Sequence, residues 1–252
     1  MKTEIVYEDR DLLVVRKPAG LATQTSGVGQ ADVVSELKNY LASSGRGKMP
    51  YLGIIHRLDQ PVEGLLVFAK NKQAAGALTK QLTGQPQEAG RILHKRYYAV
   101  LYGNPSSREG ELADAMYRDA SAGRAVIVEC GMKSGRDAAA QEGKQAVLHY
   151  RILETARTSW GDEISLADIR IETGRFHQIR AQMAHAGMPL LGDEKYAGEA
   201  ARACSRRLGI RTVALCAATL SFVHPVTGER LYYETGPMSA AFLFFQSKEI
   251  RK

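Results

Sequence analysis

Short apolar runs bounded by glycine, proline and charged residues recur along the chain. They outnumber the stretches with helical spacing. Leu12–Arg16 closes on Lys17-Pro18, and Gly64–Lys70, Arg96–Tyr102, Ala125–Glu129, Ala146–Leu153, Ile164–Ile171 and Thr212–Val223 follow, with Tyr232 and Tyr233 in one more. Runs of this length, rich in branched and aromatic residues, predict strands. Helical spacing is sparser. Asp32–Leu41 carries Val34, Leu37 and Leu41 on one face, and Asn71–Leu82 carries Ala75, Leu78 and Leu82 behind a capping Asn71. Gly174–Ala186, with Phe176, Ile179 and Met183 on one face, ends before Gly187 and Pro189. Ala200–Leu208 and Pro237–Phe245 complete the predicted helices.

Strands broken by isolated helices, without regular alternation, predict an α+β fold around a mixed, mainly antiparallel sheet. No repeat and no clear linker divides the chain, so residues 1–252 are expected to form a single domain. Three polar, glycine-rich stretches, Ser43–Pro50, Gly84–Gly90 and Ser134–Lys144, read as surface loops.

Composition narrows the function classes. With 44% hydrophobic and 24% charged residues, a wholly disordered chain is excluded. The longest apolar run, Thr212–Val223, is too short for a membrane helix of about 20 residues, so no membrane partner is expected. The N-terminus has no apolar signal core, and Cys130, Cys204 and Cys216 form no CxxC pair; reduced thiols and a cytoplasmic location are expected. The net charge of +7 suits a polyanion partner, and equally a plain solvated basic surface.

Two segments concentrate chemistry. In Gly53–Asn71, His56-Arg57-Leu58-Asp59 precedes a turn between apolar runs. Asp59 there is either a turn cap or a catalytic carboxylate on a loop held by strands. In Ile169–Tyr196, Arg175, His177, Gln178 and Arg180 crowd a predicted helix start. A helix N-terminus favours anions, so arginines there call for a carboxylate or phosphate partner, or else form a solvated face. Arg180 lies beside the apolar face, where a partly buried guanidinium needs a two-pronged carboxylate. Asp59 is one candidate partner, although spacing alone does not place it.

Metal chemistry fits poorly. His177 and His185 are eight apart rather than about four, and His56, His94, His149 and His224 have no ligand spacing. Phosphate-loop and serine-hydrolase motifs are absent. Basic residues interleave with aromatics at Arg91–Tyr98, and further clusters are Arg202, Arg206, Arg207 with Arg211, and Arg46, Lys48 with Arg57. Such clusters suit RNA backbone contact and base stacking; for Tyr97 and Tyr98 a half-buried strand is the plainer reading.

Taken together, these segments resemble the RluA family of RNA pseudouridine synthases. Four blocks match in order: Asp11–Leu21; His56-Arg57-Leu58-Asp59 with Gly64-Leu65-Leu66; Lys95–Ala99; and Gly174–Arg180 followed by Gly187–Asp193 and Tyr196. Leu220–Pro225 also fits, so the likeness spans about residues 5 to 235. The chain departs from the common pattern at Val62-Glu63, where Thr-Ser is frequent, and at Phe176, where threonine is frequent. Both departures adjoin the site and bear on substrate choice more than on chemistry. The chain starts at the catalytic region, so the S4-type RNA-binding domain of many members is expected to be absent.

The resemblance implies a pseudouridine synthase catalytic domain with its site in a central cleft, needing neither cofactor nor metal. Asp59, Tyr97 and Arg180 would be its catalytic residues. Asp59 would be the essential carboxylate, kept ionised by an arginine at position 180, and Tyr97 would stack under the base or assist loss of its C5 proton. His56, Arg57, Leu58, Arg175, His177 and Gln178 would contact substrate, with Arg57 helping to extrude the nucleotide. The implied partner is a ribosomal or transfer RNA, and a monomer is the plain expectation. The rival reading is an RNA-binding protein that kept the fold and lost the chemistry.

Overall fold

A computed structural model describes residues 1–25, 27, 29–43, 50–84, 92–128, 143–246 and 250. The chain forms two compact units. The first comprises Met1–Arg96 with Cys216–Met238, and the second Tyr97–Leu215 with Ser239–Arg251.

In the first unit, β1 (Glu4–Glu8), β2 (Leu12–Lys17), β4 (Glu63–Ala69) and β10 (Leu215–Val223) lie side by side. A short β3 (Gly53–Ile54) pairs with β4, and β11 (Arg230–Glu234) pairs with β10. The β2–β4 pair is antiparallel and the β4–β10 pair parallel, which makes the sheet mixed. Every residue of β4 is buried, as expected of a strand covered on both faces. Leu12, Val14, Leu65, Val67, Leu220 and Phe222 form the core with Ala74 and Leu78 of α2 (Lys72–Thr83). The Asn71 carboxamide oxygen accepts the Ala74 N–H and caps α2. Asp32 caps α1 (Val33–Ser43) by accepting the Ser35 N–H.

In the second unit the strand order is β5 (His94–Tyr102), β9 (Glu163–Ile171), β8 (Lys144–Arg157), β6 (Glu109–Asp119) and β7 (Arg124–Ile127). β6, β7, β8 and β9 are antiparallel neighbours. In β8, Ala146, Leu148, Tyr150 and Ile152 are buried at every second position, the mark of a strand with one face toward the core. The helices are α3 (Gln178–His185) and α4 (Glu199–Arg207). Among the described residues no helix is long and apolar enough to cross a membrane.

The α+β class with a mixed, mainly antiparallel sheet is as the sequence predicts. Several boundaries differ. The helix expected over Gly174–Ala186 begins only at Gln178, because His177 takes a left-handed backbone, φ 53°, and no helix passes through it. Arg175 therefore precedes the helix, whereas Arg180 stays in its first turn, where the Asp193 carboxylate meets it. Pro237 does not open a helix; Ser239 caps a short 3₁₀ turn at Ala240–Phe244. The strand expected from Thr212 starts at Leu215. The strands β1 and β6 were not predicted. β6 reads Glu-Gly-Glu-Leu-Ala-Asp-Ala, poor in branched residues, and is made a strand by pairing with β7 and β8. Arg46, Lys48, Arg91 and Cys130 lie outside the described residues. Cys204 and Cys216 are buried and unbridged. In the Arg202–Arg211 cluster, Arg206 pairs with Glu199 and Arg207 with Asp162.

Candidate active site

In the first unit the His56–Asp59 block runs into the turn before β4, where the Val62 N–H donates to the Asp59 carbonyl. Both neighbours of Asp59 are held. The Thr23 hydroxyl donates to the Leu58 carbonyl at 2.8 Å and accepts its N–H at 3.1 Å. The Gln60 carbonyl accepts the Gly20 N–H at 2.8 Å, and the Gln60 carboxamide donates to the Gly20 carbonyl. Beneath this contact sits Lys17, 0% exposed, whose three N–H groups are directed to three carbonyls: Leu21 at 2.6 Å, Pro18 at 3.0 Å and Gln60 at 3.1 Å. The backbone on either side of Asp59 is therefore fixed before any substrate arrives. Asp59 itself is half-buried, Leu58 buried and Arg57 exposed.

Burial pushes the Lys17 ammonium down from 10.5 to about 8, while the charges of Asp59 and Glu63 oppose the fall. His56 is buried, and burial with the nearby Lys95 charge holds its pKa well below the usual imidazole value. The ring is neutral at pH 7, with Nε2 accepting the Val67 N–H at 3.4 Å. Glu63 is 2% exposed, and its carboxylate accepts the Met238 N–H. The Val62-Glu63 departure therefore lies in the buried start of β4, tying down a distant stretch of chain. Gly64 has φ +122°, and an added Cβ would stand 2.4 Å from the Ala217 carbonyl oxygen of β10. Only glycine lets β4 and β10 approach this closely.

The second unit carries the other candidates. Arg180 is buried and grips Asp193 at two points, Nε to Oδ2 at 2.7 Å and Nη2 to Oδ1 at 2.8 Å. The two-pronged carboxylate that its burial calls for is thus Asp193. Asp193 Oδ1 also accepts the N–H groups of Lys195 and Tyr196. Beside it, Gly192 has φ +73°, with an added Cβ falling 2.0 Å from the Thr212 carbonyl oxygen.

Gln178 is buried and braces the loop before α3. Its carboxamide oxygen accepts from the Thr173 hydroxyl and the Arg175 N–H, and its nitrogen donates to the Val147 carbonyl. Arg175 is exposed and donates through Nε to the Gln145 carbonyl. His177 Nδ1 lies 2.8 Å from the Tyr196 hydroxyl, which accepts the Ala125 N–H. Burial raises the Tyr196 pKa, so this phenol stays protonated. Tyr97 is 4% exposed on β5.

Within the first unit the structure therefore assembles His56, Arg57, Leu58 and Asp59 with Lys17. Within the second it assembles Arg175, His177, Gln178 and Arg180 with Asp193 and Tyr196. The sequence reading gave Lys17, Asp193 and Tyr196 no role. The available signals were the Arg16-Lys17 end of an apolar run, and Asp193 two and three residues ahead of the N–H groups it receives. Asp9, Asp11 and His224 also bring ligand atoms within 4.8 Å of one another, a grouping that linear spacing did not reveal. Asp9 there accepts the Leu12 and Asp11 N–H groups and the Tyr7 hydroxyl, and pairs with His224. This is a turn-capping network.

A family model described as RNA pseudouridylate synthase matches residues 11–185. The ribosomal large subunit pseudouridine synthase D of Zymomonas mobilis is 34% identical over 247 residues, covering 96% of this chain and 71% of that protein. The dual-specificity RNA pseudouridine synthase RluA of Vibrio parahaemolyticus is 31% identical over 223 residues, covering 88% and 78%. A solved structure of human RNA pseudouridylate synthase domain containing 1 superposes with a TM-score of 0.68 at 25% identity, covering 93% of this chain and 83% of that one.

Proposed function

Because the chain belongs to the RNA pseudouridylate synthase family, with RluA- and RluD-type relatives, and is an isomerase, we propose that it converts specific uridines of a structured ribosomal or transfer RNA to pseudouridine, with Asp59 as its essential carboxylate. The observation that carries this reading is the clamp around Asp59. Lys17, Thr23 and Gln60 hold the backbone on both sides of one half-buried acid inside the matched region. A turn cap alone would not require a buried ammonium beneath it.

The reaction conserves atoms. The N1–C1′ bond breaks, the base turns, C5 bonds to C1′, the C5 proton leaves and N1 gains a proton. Asp59 either adds to the sugar or base, or removes the C2′ proton to give a glycal. Tyr97 stacks on the base or assists proton loss from C5. Arg180, its plane set by Asp193, supplies positive charge. Arg57, exposed beside Asp59, helps to hold the extruded nucleotide, offsetting an unstacking cost of a few kcal/mol. His56 and Gln178, both buried, act by shaping the loops that carry Asp59 and Arg175. We read the chain as one catalytic domain, working as a monomer in the cytoplasm.

The test is to incubate ribosomal and transfer RNA transcripts separately with the protein, digest them to nucleosides and separate the products. The proposal expects uridine lost and pseudouridine gained in equal amounts, without free uracil, from one transcript class. Free uracil would point instead to cleavage of the nucleoside bond.

A further inference from the structure

The second unit exposes a stack that the reaction above does not use. Phe176 is half-buried against Met116, Ala125, Ala146 and Ala181. The His177 ring lies parallel to it, with centroids 3.7 Å apart and planes 20° apart. The Arg118 guanidinium lies 4.6 Å from the same centroid. A ring stacked at 3.7 Å leaves no room for a guanidinium on its own side, so Arg118 covers the opposite face. Arg118 is exposed, which makes it the outer member of the stack. His177 is held in this stack at a conformational cost. It is the one non-glycine residue with positive φ among those described, a backbone that a residue with a Cβ adopts only under constraint.

The surroundings are cationic. Arg124 lies 5.4 Å over Tyr196, Lys195 donates to the Gly123 carbonyl in the β6–β7 turn, and Arg175 is exposed next to Phe176. With Arg118 that makes four cations. Apart from the Arg180–Asp193 pair, whose charges cancel, the carboxylates beside them are Asp119, opposite Arg124 in the hairpin and capping its turn through Ser121 and Ala122, and the exposed Glu194. A flat π surface capped by a planar cation selects a flat π ligand, and the excess positive charge selects a polyanion. A nucleic acid strand with an unpaired base is both.

We propose that Arg118, Phe176 and His177 form a stacking platform for one unpaired base of the RNA, other than the target uridine, and that Arg124, Arg175 and Lys195 receive the phosphates flanking it. This rests on the RNA reading above and adds a specificity determinant to it. The base lies on the guanidinium plane, extending the stack by one member.

The experiment measures turnover and RNA affinity of the parent first, on the RNA it converts, and then of Arg118→Ala, Arg118→Lys and Phe176→Leu, with melting temperatures. Stacking of one base is worth about 1–3 kcal/mol, so Arg118→Ala should weaken binding by about five- to 150-fold and leave kcat unchanged. Arg118→Lys keeps the charge without the plane. It should weaken binding nearly as much while leaving the salt dependence of affinity as in the parent. Arg118→Lys binding at parent affinity would overturn the stacked base. Arg118→Ala or Phe176→Leu with a lowered melting temperature and parent affinity would reduce the stack to packing and overturn the platform. A parent that neither binds nor converts RNA would overturn the functional reading, and the platform with it.

Discussion

Arg180 and Asp193 form a buried two-point ion pair, Nε to Oδ2 at 2.7 Å and Nη2 to Oδ1 at 2.8 Å. The pair sets the guanidinium plane, and the same carboxylate receives two backbone N–H groups of the following turn. Asp193→Ala removes both oxygens from a buried cation and should cost about 3–5 kcal/mol in urea unfolding. Arg180→Lys keeps the charge but loses the fork and should lower turnover at least tenfold. Full activity in Arg180→Lys would contradict the orienting role of the pair.

Lys17 makes a pH prediction. Its folded pKa of about 8 lies below the ordinary 10.5, so between these values the unfolded chain binds more protons and stability rises with pH. The slope is about 1.4 kcal/mol per unit within that window. Cys204 and Tyr233, raised by burial to about 11 and about 12, oppose it as their unfolded forms ionise. The comparison is therefore between the parent and Lys17→Met, which should lack the rising contribution from pH 8 to 10.5. Turnover should meanwhile fall above about pH 8, as the ammonium that ties Gln60 to Leu21 loses its proton. An alkaline limb unchanged in position by Lys17→Arg, which cannot deprotonate in this range, would dismiss the link between Lys17 and the Asp59 loop.

Gly64→Ala tests the seam between β4 and β10. The new methyl would meet the Ala217 carbonyl at 2.4 Å on a backbone at φ +122°, so the strands must part or the turn after Asp59 must move. A loss of at least about 3 kcal/mol in unfolding free energy is expected, together with reduced turnover. Gly76→Ala, in the middle of α2 with open space around its Cα, is the control and should be neutral or slightly stabilising.

Much of this was legible in the sequence for identifiable reasons. β4 and β10 are long apolar runs, and Asn71 caps α2 as its position before the helix indicates, because local pattern and tertiary burial agree there. β6 was not legible, since its small and acidic residues become a strand only through their neighbours. The start of α3 was missed because a left-handed histidine has no signature in a single sequence. The acid at Asp59 was visible as a candidate, whereas its clamp was not. Lys17 lies 42 residues before Asp59, and its burial under three carbonyls is a property of the fold. The Asp193 partner of Arg180 was hidden for the same reason, being 13 residues away across a turn rather than one helical turn along α3.

The central claim is that Asp59 performs the isomerisation. Its most direct test is tritium release from RNA carrying 5-³H-uridine, measured for the parent and for Asp59→Asn, with RNA affinity determined for both. The account predicts stoichiometric release by the parent and none by Asp59→Asn, at nearly equal affinity. Release by Asp59→Asn at the parent rate, or binding without release by the parent, would contradict it.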